Sequence, residues 1–159
     1  MSRTPSPPLK PSVLDRLLDD APRNPQDVPQ TASQLLTVIR EAVRRDLENL
    51  LNSRCLPSSR DLEQLQDSLV NYGLPDFTSL GGPRDRLAFC EIIKSAIQRC
   101  EPRLRGIVVE PLTEADDAAR PLTFRIAATL HVEPWSAPIV FDSYLDATNG
   151  SMDVKRGRL

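Results

Sequence analysis

The sequence is short of the features that most directly announce chemistry. It carries no excess of positive charge, with 20 Lys and Arg against 22 Asp and Glu for a formal net charge of −2. Nothing therefore draws it electrostatically to nucleic acid or an anionic membrane, whose binders are usually basic. It has one histidine, His131, and three cysteines, Cys55, Cys90 and Cys100. A lone histidine builds no histidine cluster. An odd number of cysteines without CxxC or zinc-type spacing fits free thiols in a reducing compartment. Gly-rich phosphate loops, a GxSxG elbow and HExxH are all missing. No apolar run approaches the length of a membrane span, and the opening "MSRTPSPPLKPS" lacks the hydrophobic region of a secretory signal. The expectation is a cytoplasmic protein, not membrane-inserted, that binds no nucleic acid and needs no metal or cofactor.

Proline is plentiful and unevenly placed. Seven of the fifteen prolines fall before residue 30, which predicts a flexible proline-rich arm over residues 1–30. Within it, "PSVLDRLLDD" offers Ser12 as a helix cap and Val13, Leu14, Leu17 and Leu18 as an apolar stripe. Such a stripe either folds back on its own domain or docks in a partner's groove. The remaining residues, 31–159, are sufficient for one domain with an adequate core.

Three helices are expected first. Thr31 and Gln34 have capping-box spacing, and Leu36, Ile39, Val43, Leu47 and Leu50 recur at three- and four-residue steps. Arg40, Glu41, Arg44, Arg45 and Glu48 mark the solvated face of that helix. After Pro57, Leu62, Leu65, Leu69 and Val70 suggest a shorter helix stopped at Gly73. "NYGLPDFTSLGGPRD" then reads as a loop, and beyond Pro83 a third helix is expected to bury Leu87, Cys90, Ile93, Ile97 and Cys100.

Past Arg103 the period changes to two. "LRGIVVEPL", "PLTFRIAATLHVE" and "APIVFDSYLD" read as strands, with Leu122, Phe124, Ile126, Ala128, Leu130 and Val132 sharing one face of the second. Asn149-Gly150 signals a hairpin into a short polar strand, Met152 to Lys155, expected to be a protected or reserved edge. The predicted fold is α+β: three N-terminal helices packed on a small, mainly antiparallel C-terminal sheet.

Glu101, Pro102 and Arg103 stand at the switch from helix to strand. Proline disfavours helical geometry in the residue before it, so Glu101 falls just past the last helical turn, at the negative end of the dipole. A cation should pair with it there. Arg103 or Arg125 could do so internally, as an exposed contact worth about 0.2–1 kcal/mol; a partner protein could do so instead. The alternative chemistry is a glycosidase-like carboxylate pair, Glu101 with Asp76, Asp142 or Glu110. His131 alternates with the apolar face of its strand and reads as a surface or partner-facing residue.

Four segments in order, "SVLDRLLDD", "RRDLENLLNSR", "SLVNYGLPDF" and "CEPRL", resemble TssE, the small baseplate subunit of type VI secretion systems, itself similar to the wedge protein of contractile phage tails. The resemblance runs from about Pro11 to the C-terminus. It implies a non-enzymatic subunit that joins larger baseplate wedge subunits and helps to start the contractile sheath, whose subunits exchange strands. It also implies that Glu101, Pro102 and Arg103 face the larger wedge subunits, and Val13, Leu14, Leu17 and Leu18 become candidates for docking on them. Cys55 departs from the pattern, where a second basic residue is usual after Arg54. A peptidoglycan hydrolase using Glu101 is the alternative reading; acting in the envelope, it would need export.

Overall fold

Thr31 begins the first long helix as its spacing to Gln34 predicts. The Gln34 N–H donates to Thr31 Oγ1 at 3.4 Å, and the Thr31 N–H donates to Gln34 Oε1 at 2.8 Å. Both groups would otherwise be orphan donors. The computed structural model describes residues 31–56, 68–75, 86–112, 122–133, 135–146 and 150–157, together with Val13 and Leu17. Helix α1 covers Ala32–Asn52 and buries Ile39, Ala42, Val43, Leu47, Leu50 and Leu51, a single stripe. Ser53 closes it, its N–H donating to Asn49 and Leu50 and its hydroxyl to Asn49.

The middle helix of the expected three is not seen as such. Leu62 and Leu65 lie outside the described residues, and the end of that segment is one 3-10 turn, Leu69–Asn71. Leu69 is exposed there, so it anchors no buried stripe. The described residues thus hold two α-helices in the body of the fold rather than three. The second, α2, covers Arg86–Cys100 and buries Phe89, Cys90, Ile93, Ala96 and Ile97. Leu87, expected in that stripe, is 70% exposed. At about 100° per residue it lies roughly 120° around the helix from Ile93, outside the buried arc that Phe89 fills instead.

Four strands follow: β1, Leu104–Pro111; β2, Leu122–Val132; β3, Trp135–Leu145; and β4, Met152–Arg156. They form one antiparallel sheet in the order β1-β2-β3-β4. Phe124, Ile126, Ala128 and Leu130 of β2 are buried, as their alternation predicts, beside Ile139, Phe141 and Leu145 of β3 and Met152 and Val154 of β4. They meet the α1 and α2 stripes in one core. The ring of Phe89 stands edge-on to Phe124 with centroids 6.2 Å apart, joining α2 to the sheet centre. In β1 the register slips between Arg105 and Val108, where Gly106 takes φ +61°. That is one extra residue accommodated by a left-handed glycine, a bulge that twists the edge.

The β4 edge is sealed by α1. Gly157 N–H donates to Val140 O and Asp146 N–H to Ser151 O, which sets the phase of the β3–β4 ladder. By alternation Asp153 and Lys155 direct their main-chain groups to β3, and Met152, Val154 and Arg156 direct theirs outward. Asn52 meets the outward groups of Met152 like a strand residue, its Nδ2 donating to Met152 O and its Oδ1 accepting from Met152 N, both at 2.8 Å. Arg44 Nη1 donates to Val154 O at 3.1 Å. Arg54 Nη2 donates to Gly150 O at 3.0 Å in the turn before the strand. The last strand is therefore a protected edge, covered by the helix that precedes it by a hundred residues.

Candidate functional site

Three of the four resembling segments come together at one corner of the fold. The Glu101 N–H donates to Ile97 O at 2.9 Å, completing α2, and its own carbonyl accepts from Leu104 N at 3.1 Å. Pro102 and Arg103 form the intervening turn, and Arg103 O accepts from His131 N at 2.8 Å, which locks the turn to β2. The chain reverses within three residues.

Glu101 finds its cation in that turn. Arg103 Nε donates to Glu101 Oε1 at 2.7 Å and Nη2 to Oε2 at 2.6 Å, a two-pronged fork. The same Nη2 donates at 2.5 Å to Asp46 Oδ2 on α1, 57 positions away in sequence. The guanidinium is held above its ordinary pKa, chiefly by its hydrogen bonds to Glu101 and secondarily by Asp46, against the opposing pull of burial. Two carboxylates from different elements thus share one arginine, which ties the α1 segment "RRDLENLLN" to "CEPRL".

The expectation of an exposed contact is overturned. Glu101 is 5% exposed, while the Arg103 side chain keeps 25% and that of Asp46 30%. Arg125 does not reach Glu101. It forks onto Asp142 across β2 and β3, at 2.7 and 3.2 Å, on the solvent side of the sheet. The local sequence could not distinguish these pairings, because residues 101 and 103 meet only when Pro102 turns the chain back. Asp46 carried a signal too: it lies in the buried half of the α1 face, between Val43 and Leu47, where an acidic residue needs a partner.

The "NYGLP" segment forms the third side. Arg99 Nη2, in the last turn of α2, donates to Asn71 O at 2.9 Å. Gly73 takes φ +109°, and a Cβ there would lie 2.5 Å from Ser53 O. Only glycine lets Leu74 N–H donate to Ser53 O and Leu74 O accept from Cys55 N–H, both at 2.9 Å. Leu74 is thereby fully buried beneath the end of α1. Burial raises the Tyr72 pKa, and nearby Cys100, Asp46 and Glu101 push it the same way.

Pro102 is exposed at the tip of this corner. Cys55 is buried, so the position where the resemblance expects a basic residue offers no side chain to solvent. Cys90 is buried and its thiol raised by desolvation, which suits a core residue. His131 Nδ1 lies 2.9 Å from Ser136 Oγ. Of the apolar stripe in the arm, Val13 and Leu17 are helical and exposed, at 67% and 74%, whereas Leu14 and Leu18 lie outside the described residues. Of the carboxylates considered as partners in hydrolysis, Asp76 lies outside the described residues, Asp142 is engaged by Arg125, and both Glu101 oxygens accept from Arg103. Among the described residues no three of His, Cys, Asp and Glu are placed to hold a metal ion, and no helix is long and apolar enough to cross a membrane.

The family model described as "Baseplate wedge protein gp25" matches residues 37–134, from the first turns of α1 to the β2–β3 hairpin. No curated protein and no solved structure matches the chain. The family match covers more than half of the sequence and contains all three segments of the corner. The chain belongs to the gp25 baseplate wedge family, of which TssE is a member.

Proposed function

We propose that the protein is a non-enzymatic subunit of a type VI secretion baseplate wedge, that it binds larger wedge subunits and that it helps to start assembly of the contractile sheath in the cytoplasm. Its family is structural and phage-tail-like. The observation that carries the reading further is the corner itself. Segments separated by dozens of residues are held together by Glu101, Arg103 and Asp46, and what that framework presents outward is a braced tip: exposed Pro102 with half-buried Arg103 beside it. Glu101 acts from beneath, aiming the guanidinium rather than touching a partner.

Val13, Leu14, Leu17 and Leu18 form a second attachment in this reading, an apolar stripe on residues 1–30 that docks on a wedge subunit while residues 31–159 form the wedge-like domain. The hydrolase alternative receives no support from Glu101, whose two oxygens are both occupied by one guanidinium.

The test is recovery of partners from cells carrying the whole secretion cluster. Wild type is expected to co-purify with larger wedge subunits and to leave peptidoglycan intact. Pro102→Arg, which alters the tip without removing an ion pair, is expected to melt like wild type and lose those partners. Deleting residues 1–29 should leave cooperative melting and weaken partner retention. Clearing of peptidoglycan by wild type, lost in Glu101→Gln, would overturn the scaffold reading; full partner retention by Pro102→Arg would remove the tip from the interface.

A further inference from the structure

The seal that α1 places on β4 stops one residue short. Along α1 the positions Asn52, Glu48, Arg44 and Arg40 follow one another at four-residue steps, about 6 Å of rise each, while outward-facing residues of a strand recur every two residues, roughly 6.6 Å. Asn52 satisfies both main-chain groups of Met152, and Arg44 the carbonyl of Val154. The next outward residue, Arg156, stands across a cleft from Arg40, above a floor of buried Ile139 and Phe141 with Thr37 at the side. Here the column meets a strand residue of its own sign.

Arg44 and Glu41 line the cleft as well, but its charges do not cancel. Arg44 is consumed by Glu41 at 2.5 Å and Glu48 at 2.8 Å. Among the described residues neither Arg40 nor Arg156 has a carboxylate within ion-pairing distance, and Arg40 Nε is buried with no hydrogen-bond partner. A buried guanidinium N–H without an acceptor is costly, and native proteins complete one with water, an ion or a ligand group.

We infer that this cleft receives a carboxylate from an acidic segment of a neighbouring protein, bound between Arg40 and Arg156. The apolar floor favours a peptide side chain, whose methylenes can lie on Ile139 and Phe141, over a small hydrated anion. The outward main-chain groups of Arg156 would let such a segment run on alongside the end of β4 without displacing Asn52 or Arg44. Its use in assembly rests on the scaffold reading, but the binding itself does not.

The experiment uses the full chain, labelled with nitrogen-15, and follows the arginine Nε–H signals during titration with an octaglutamate peptide, an octalysine control and inorganic phosphate. The expected result is a saturable shift of the Arg40 signal with octaglutamate alone, weakened at least tenfold in Arg156→Gln, an exposed substitution that should leave melting unchanged. Arg40→Gln should abolish binding; if it does not fold, Arg156→Gln still decides. No shift at Arg40, equal affinity in Arg156→Gln, or phosphate saturating the site as well as the peptide would each overturn the proposal, the last in favour of a free-anion site. Wild-type co-purification with wedge subunits, measured separately, distinguishes failure of this cleft from failure of the assembly role.

Discussion

Two arginine–carboxylate forks, each donating through Nε and Nη2, occur in this protein in opposite surroundings. Arg103 grips Glu101 and Asp46 at the junction of α1, α2 and β1, with Glu101 almost fully covered. Arg125 grips Asp142 on the open face of the sheet, in a cross-strand row of alternating charge that runs Glu110, Arg125, Asp142, Lys155. The first pair links distant segments and leaves a buried charge if broken. The second links adjacent strands already held by eleven paired positions, and water replaces whichever partner is lost. The same pairing chemistry does not mean equal worth: the cost of breaking a pair depends on what the surviving partner faces.

The largest expected effect follows from removing the shared cation. Arg103→Ala leaves Glu101 covered and Asp46 with only Arg45 at 3.9 Å, and should lower the stability of the purified protein by about 3–5 kcal/mol in urea denaturation. A loss below about 1 kcal/mol would place the buried fork in the same class as the exposed one and end the contrast. Glu101→Gln keeps shape and one acceptor, and Arg103 retains Asp46; it should cost roughly 1–2 kcal/mol by the same measurement. Both effects exceed the roughly 0.2–1 kcal/mol expected from the sequence, which assumed an exposed pair. Binding tests of Arg103 must therefore be read beside a melting curve, which is why Pro102→Arg is the cleaner probe of the interface.

Arg125→Ala should leave the denaturation midpoint unchanged within error. A clear shift would mean that the cross-strand row acts cooperatively, and would sharpen the comparison into one between networks rather than pairs. The smallest effect is alkaline. The Tyr72 pKa is raised above its ordinary 10.0 in the folded state, mainly by burial. The unfolded chain therefore loses that proton first, so stability is complete below pH 10 and declines as pH rises beyond it. Tyr72→Phe should flatten the decline, measured as denaturation midpoints between about pH 9 and 11; an identical slope would show that Tyr72 contributes nothing to it.

Much of the fold was legible because it depends on short-range patterns. The capping box at Thr31, the stripe from Ile39 to Leu50, and the alternation from Phe124 to Leu130 each report a local geometry in which side chains of one period share one face. The placement of a strand switch at Arg103 needed only Pro102 and the change of period. Leu87 failed for the opposite reason: an apolar residue near the start of a helix is compatible with several buried arcs, and only the position of the sheet selected the one through Phe89. Leu69 failed likewise: expected on the stripe of a middle helix, it lies in a 3-10 turn and is exposed, so it faces no core surface.

By itself, then, the sequence determined that this is an α+β chain with a sheet after its helices, that it carries no GxSxG, HExxH or Gly-rich phosphate loop, and that Glu101 must find a cation. Only the tertiary structure decided which cation, and that the answer was a fork within the turn braced by Asp46 from another helix. It likewise decided that Asn52 and Arg44 would close the β4 edge and that Arg40 would be left facing Arg156. Periodicity follows from bond geometry along the chain, whereas ion pairing and edge coverage follow from which surfaces the hydrophobic core forces together, and residues 46 and 103, or 52 and 152, carry no local record of that encounter.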